Sequence, residues 1–213
     1  MTTGSQKLIV RSSYRHGDLH RALIEAGVAL AREGGPSAVV LREATRRSGV
    51  SPNAAYRHFA DRQALLDAVC SSCQALVACA IEEDQALIDT DDPAEAARLR
   101  FRAVGTGYLR FALEQPGQFQ TAFSASSDLD SATSSARAGL SGFTPFQLLT
   151  NALDDLVAVG ALPADRRPAA EFLAWSAVHG LAELFIDGPL LALQDDVKQQ
   201  LITRVIDMVE KGL

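Results

Sequence analysis

Helical periodicity is the feature that most constrains the fold of this 213-residue chain. Apolar residues recur at intervals of three and four through nearly the whole sequence, and few segments show the alternation of strands. Glycine and proline interrupt this pattern at five places, which are Gly34-Gly35-Pro36, Asp92-Pro93, Pro116-Gly117, Leu162-Pro163 and Gly188-Pro189. The sequence therefore predicts an all-α protein of about nine helices.

These breaks divide the chain into predicted helices. The predicted bounds are residues 17–33, 40–47, 51–59, 61–89, 93–114, 116–123, 143–159, 168–185 and 191–211. Residues 124–142 are rich in Ser, Ala and Gly, which predicts a loop or mobile segment. We divide the chain into a head, residues 1–66, and a body, residues 67–213, with the boundary inside the fourth helix.

Charge is distributed unevenly between these two parts. The whole chain has a net charge of −6, which by itself argues against a nucleic-acid partner. However, residues 1–67 hold ten Lys/Arg and six Asp/Glu, whereas residues 68–213 hold ten Lys/Arg and twenty Asp/Glu. A basic head on an acidic body indicates that only the head meets a polyanion.

The second and third predicted helices are joined by Ser48-Gly49-Val50, where glycine suits a positive φ. Ser51 is a good N-cap for the third helix, and Pro52 suits its first turn. Two short helices joined by a three-residue turn that contains glycine are typical of a helix-turn-helix, although an ordinary helical hairpin gives the same pattern. In a helix-turn-helix the start of the second helix reads bases in the major groove.

This geometry indicates which residues are candidates for contact with DNA. Asn53 can offer a donor and an acceptor to an adenine edge, and Pro52 and Ala54 can touch a thymine methyl group. Polar residues further along the helix more often hold phosphates, and further cations flank it. These additional candidates are Tyr56, Arg57, His58, Arg42 and Arg62.

The stretch LREATRRSGVSPNAAYRHFADRQALL (residues 41–66), preceded by LHRALIEAGVALAREGG (19–35), resembles the DNA-binding domain of the TetR family of transcriptional regulators. The resemblance implies base or groove contacts from Arg42, Pro52 and Asn53. It implies phosphate contacts from Ser51, Tyr56, His58 and Arg62, and a packing role for Phe59. Val40 departs from the pattern, because it stands where a capping Ser or Thr is usual.

The run FLAWSAVHGLAELF (residues 172–185) resembles a TetR subgroup named for its Trp-His-Gly signature. That resemblance implies a body that binds a small molecule and dimerises. Trp175 and His179 are four residues apart and share one helix face, as a packed core pair or as a pocket wall. We expect Gly180 to mark the close approach of another helix or of a ligand.

Aromatic residues are concentrated in the body, which favours a pocket for a hydrophobic effector. The candidate ligand-binding residues are Tyr108, Phe111, Phe119, Phe123, Phe143, Phe146, Trp175 and His179. The resemblance implies a homodimer through the last two helices, where the final helix carries the apolar residues Leu201, Ile202, Val205, Met208 and Val209. Two heads would then meet two half-sites of a pseudo-palindromic operator.

Other functions are weaker interpretations. Cys70-x-x-Cys73 allows a thiol-responsive regulator, but no second pair or nearby His completes a zinc set. A helical small-molecule-binding enzyme would need a reactive group in the body, where His179 is the only histidine. We expect no enzyme activity, metal or cofactor. We expect no apolar run to be long enough to cross a membrane, and we therefore expect a cytoplasmic protein.

Overall fold

The computed structural model describes residues 16–124 and 132–213, with side chains from Leu19 onward. These parts contain nine α-helices and no strand, which confirms the predicted all-α fold. The helices are α1 (His16–Ala38), α2 (Leu41–Arg47), α3 (Pro52–Ala55), α4 (Arg62–Gln85), α5 (Pro93–Glu114), α6 (Pro116–Ala122), α7 (Pro145–Ala158), α8 (Ala170–Ile186) and α9 (Asp195–Gly212).

Helices α1 to α3 form the head around a small apolar core. Gly34 and Gly35 are non-helical inside α1, where they separate its long first part from the final turn. Gly35 has φ 66°, a left-handed conformation that favours glycine. As Val40 led us to expect, the start of α2 has no side-chain cap. Leu23, Val39 and Phe59 are buried at the centre of the head.

Helix α4 belongs to both parts of the molecule. Its N-terminal half buries Leu65 and Val69 in the head, and its C-terminal half buries Val77 and Ile81 in the body. The expectation that no apolar run could cross a membrane is wrong for this helix by length and composition, since a window of it has mean hydropathy 1.8. More than half of that window is buried inside the protein, as in the core helix of a folded domain.

The body packs α5 against α4, α7, α8 and α9. The bounds of α5 are those predicted, because Asp92 caps the helix and Pro93 occupies its first turn. Thr144 and Gln147 form a capping box that starts α7. Of the predicted loop at 124–142, residues 125–131 lie outside the described residues. Its later part forms a 3-10 turn, Ser135–Arg137, which packs on α4.

Two glycines allow helices to approach more closely than any side chain would permit. A Cβ atom on Gly107 of α5 would lie 2.7 Å from the Ala80 carbonyl oxygen of α4. A Cβ atom on Gly117 of α6 would collide with the Ala31 carbonyl oxygen of α1. Gly180 does not act in this way, because no described atom of the chain lies within 4 Å of a Cβ atom added to it. The expected approach of another helix is therefore wrong within this chain, and the expected approach of a ligand stays a prediction.

We predict that Gly107→Ala destabilises the protein, because backbone atoms of α4 cannot move aside as a flexible side chain would. The free energy of unfolding should fall by about 1–3 kcal/mol, measured by denaturant titration. Gly212→Ala is the matched control, because no described atom lies within 4 Å of its added Cβ. Equal stability of both variants would contradict the close packing of α4 and α5.

Candidate nucleic-acid interface and body cavity

The start of α3 presents the predicted base-reading residues to solvent. Gly49 has φ 67°, as the tight turn requires. The Ser51 hydroxyl accepts a hydrogen bond from the Ala54 amide at 3.3 Å, which confirms the predicted cap. Pro52 and Asn53 are exposed, and Ala54 is half-buried. The cap therefore fixes the helix end from which Asn53 projects.

The end of the reading helix differs from the prediction. Helix α3 stops at Ala55 rather than Phe59, and the His58 amide instead donates to the Ala55 carbonyl three residues back. Tyr56 is 58% exposed and Arg57 is also exposed, so both phosphate candidates face solvent. Phe59 is buried and stacks on the His20 ring with centroids 4.8 Å apart, which confirms its packing role.

His58 lies between the exposed surface and this packing. It is half-buried, and its ring meets the edge of His20 with centroids 6.0 Å apart. His20 lies four residues after His16, whose side chain is outside the described residues. Within the described chain, no group of three metal-ligating side chains occurs.

The arginines of the head fall into two groups. Arg46 and Arg47 are neutralised by Glu43, and Arg47 also pairs with Glu33 at 2.7 Å. Hydrogen bonds from the two arginines lower the pKa of Glu43 to about 2.

Other head arginines remain available to DNA. Arg42 and Arg57 are exposed and have no carboxylate partner among the described residues. The exposed Arg62 donates to the Pro36 carbonyl oxygen at 2.6 Å. This hydrogen bond connects the start of α4 to the end of α1. The phosphate contact predicted for Arg62 would be made in addition to it.

The body contains an apolar cavity of about 110 Å³ between α4, α5, α7, α8 and α9. This volume is several times the roughly 10–15 Å³ that one water molecule needs. Four predicted ligand-binding residues line it, namely Tyr108, Phe123, Phe146 and Trp175. The other four lie elsewhere: Phe111 and Phe119 are buried in the core, Phe143 is exposed, and His179 is half-buried behind Tyr108.

A short hydrogen-bond chain runs behind the cavity wall. The Trp175 indole N–H donates to the Tyr108 hydroxyl at 3.2 Å, and that hydroxyl lies 2.8 Å from Nδ1 of His179. Because the indole can only donate, the phenol hydrogen is directed at Nδ1, which suits a neutral imidazole. Burial lowers the pKa of His179, and a weaker effect of Glu183 opposes this. Burial also raises the pKa of Tyr108. Trp175 is therefore both a packed residue and a cavity wall.

Sequence reasoning missed two polar residues of the cavity. Gln74 and Arg137 line it, together with apolar residues of α9 such as Ile206. The side-chain amide of Gln74 donates to the Ala122 carbonyl at 2.7 Å. The position of Gln74 inside the apolar run of α4 could have indicated a polar cavity residue. Arg137 follows a segment without helical periodicity, so no comparable signal marked it.

Helix α6 joins the cavity to the head, a link that the sequence did not reveal. Gly117, in its first turn, packs against the backbone of α1, and carbonyls at its C-terminus accept hydrogen bonds from α4. The ring of Phe119, inside α6, lies edge-on to the cavity residue Tyr108 with centroids 5.1 Å apart.

The cysteines are structural in this arrangement. The Cys70 thiol donates to the Thr121 carbonyl at 2.8 Å, and burial raises the pKa of Cys73 to about 12. Reactive thiols need a lowered pKa, so the geometry gives no support to a thiol sensor.

A helix-turn-helix head on a helical body with an apolar cavity defines the class of ligand-responsive DNA-binding regulators. Residues 23–69 match the family described as "Bacterial regulatory proteins, tetR family", and residues 101–209 match "Tetracyclin repressor-like, C-terminal domain". The second match alone spans just over half of the chain. The protein therefore belongs to the TetR family and is a DNA-binding transcriptional regulator rather than an enzyme.

Solved structures share this fold. A protein with unknown function from Rhodococcus sp. RHA1 is 25% identical with a TM-score of 0.71, over 95% of this chain and 99% of that one. A putative tetR family transcription regulator from Shewanella sp. PV-4 is 16% identical, with TM-score 0.59 and coverages of 89% and 96%. RolR, solved in complex with the ligand resorcinol, is 16% identical, with TM-score 0.58 and coverages of 91% and 88%. No curated protein sequence matches the chain.

We predict that Asn53→Ala relaxes specificity at one operator position, with a loss of about 1–3 kcal/mol of base discrimination. Tyr56→Phe should weaken binding to all sequences alike, because a phosphate contact carries no sequence information. Binding to a set of single-base operator variants measures both effects. If both substitutions alter the preference at one position only, this division of roles is wrong.

We also predict that His179 makes the protein less stable in mild acid. Its pKa is lower in the folded state, so below the unfolded value of about 6.5 the unfolded chain binds more protons. The free energy of unfolding should therefore fall between pH 7 and pH 5 more steeply than in His179→Asn, which can still accept from Tyr108. Parallel pH profiles of the two proteins would contradict a buried neutral imidazole.

Proposed function

We propose that the protein is a homodimeric repressor that leaves a pseudo-palindromic operator when a small apolar effector enters the body cavity. The observation that carries this proposal is the position of the cavity. Its walls include α4, which forms part of the head core, and α6 packs between that wall and α1. A change in the cavity can therefore alter the placement of the head.

The proposed operator contacts come from the surface around α3. Pro52, Asn53 and Ala54 at its start would meet bases, with Arg42 at the groove edge. Ser51, Tyr56, Arg57, His58 and Arg62 would hold phosphates. The exposure of Asn53, Tyr56 and Arg57 supports this division.

The proposed dimer interface uses the outer faces of α8 and α9. Leu173 is 64% exposed and Met208 is 59% exposed, and Leu184 is also an exposed apolar residue. The predicted stripe on α9 needs a correction, because Ile202 and Val209 are buried in the protomer's own core. Exposed apolar residues in such number are typical of an interaction surface.

The proposed effector is a small, largely aromatic molecule. Aromatic rings line the cavity, and the carbonyl oxygen of Gln74 has no hydrogen-bond partner among the described residues. That oxygen would accept from a hydroxyl group of the effector. The complex of RolR with resorcinol supports this size and chemistry.

The proposed mechanism is a shift between two placements of the heads. An effector changes operator affinity only through its different affinities for the two states. We propose that α4 transmits the effect of the bound effector from the cavity to the head. Helix α6 is a second proposed route between them, supported by its close contact with α1. We also propose membership of the Trp-His-Gly subgroup, supported by the joint packing of Trp175 and His179, and a cytoplasmic location.

Selection from a random duplex library tests this function. The full chain should enrich a two-fold symmetric sequence whose half-sites lie about 34–36 Å apart or a multiple of that distance. Resorcinol and other small phenols are then tested for release of the enriched duplex. Failure to enrich any duplex, or enrichment of a single asymmetric site by a monomer, would contradict the proposal.

We predict that Trp175→Ala reduces effector response more than operator affinity, because Trp175 lines the cavity far from α3. The measurement is the affinity for the enriched duplex with and without an active phenol. Trp175→Phe is the control, since it keeps a ring in the wall and should keep most of the response. Equal loss of response and operator affinity in Trp175→Ala would indicate a core role only.

A further inference from the structure

Arg137 is the only charged residue among the described residues that line the body cavity. It ends the 3-10 turn Ser135–Arg137, which packs on α4, and its side chain is half-buried. Every other lining residue apart from Gln74 and Tyr108 is apolar or glycine. A single guanidinium in such surroundings requires an electrostatic explanation.

Among the half-buried arginines of the body, Arg137 is unusual in its lack of a described carboxylate partner. Arg100, Arg102, Arg110 and Arg167 each pair with at least one carboxylate at 3.1 Å or less. Within the described chain, Arg137 pairs with none, although residues 68–213 hold twenty acidic and ten basic residues. A shortage of acidic side chains therefore does not explain why Arg137 has no described carboxylate partner.

The carboxylate that anchors this segment is already engaged. Glu82 of α4 accepts from the Leu140 amide at 2.8 Å and from the Ser141 amide at 3.0 Å, and also from the Ser141 hydroxyl. These bonds hold the chain that follows Arg137 against α4. The turn is thus fixed in place, while its guanidinium has no carboxylate partner among the described residues.

We propose that Arg137 recognises the carboxylate of the effector, which is then an aromatic or similarly apolar monocarboxylic acid. Guanidinium binds carboxylate through two parallel hydrogen bonds, and such a pair is strong where water is scarce. The rings of Phe123, Phe146 and Trp175 would enclose the apolar part of the molecule. This inference rests on the proposed role of the cavity as the effector site.

Matched pairs of acids and their primary amides test the inference on the full-length protein. The probes are benzoate, phenylacetate and cinnamate, each against benzamide, phenylacetamide and cinnamamide, with Kd measured by calorimetry. Trp175 is the only tryptophan of the chain, so its fluorescence reports occupancy of the cavity as a second readout. At least one acid should bind about 10- to 100-fold more tightly than its amide.

Three variants assign that preference to Arg137. Arg137→Gln should remove the discrimination between acid and amide, and Arg137→Lys should restore part of it. Arg98→Gln is the matched control, because Arg98 is an exposed arginine without a described carboxylate partner and lies outside the cavity lining. It should leave the preference for the acid unchanged.

Two results would overturn the inference. Amides that bind as tightly as acids, or a preference for acids that survives in Arg137→Gln, would exclude carboxylate recognition by this residue. If neutral phenols still release DNA from the protein in that case, the proposed function as an effector-responsive repressor stands, and only carboxylate recognition by Arg137 is excluded. If no acid binds and no duplex is enriched by the same preparation, the proposed function fails as well.

Discussion

The close packing of α6 against α1 is the contact on which the relation between head and body depends. Gly117 brings the backbone of α6 onto the Ala31 carbonyl, where any side chain would collide. The other end of α6 is held by the Cys70 thiol and the Gln74 amide, which donate to carbonyls at its C-terminus. One short helix therefore connects the first helix of the head with the wall of the body cavity.

Charge explains how an acidic protein presents a DNA-binding surface. The four body arginines Arg100, Arg102, Arg110 and Arg167 lie in ion pairs, whereas Arg42 and Arg57 of the head have no described acidic partner. Even in the head, Glu43 neutralises part of the positive charge by binding Arg46 and Arg47. Arg42 lies on α2 and Arg57 lies just after α3, where a major-groove reader needs free cations.

Local signals allowed the sequence to predict the head in detail. The cap at Ser51, the positive φ at Gly49 and the first-turn proline at Pro52 each depend on a few neighbouring residues. The early end of α3 was missed because no glycine or proline follows Ala55 to mark the end of the helix.

Features that depend on distant parts of the chain were predicted poorly. Half of the proposed aromatic pocket residues line the cavity, because periodicity does not say which face of α5 or α6 meets which neighbour. No other helix of the described chain approaches Gly180 closely, and Ile202 was expected at a dimer surface but is buried. Arg137 reaches the cavity through a tertiary contact between its turn and α4.

The salt dependence of DNA binding tests the central claim most directly. The full-length protein is titrated onto an enriched duplex by fluorescence anisotropy at a series of salt concentrations. If the basic head binds phosphates, the logarithm of the affinity should fall linearly with the logarithm of salt concentration. Affinity that does not change with salt, or the failure to bind any duplex, would contradict the account of this protein as a DNA-binding regulator.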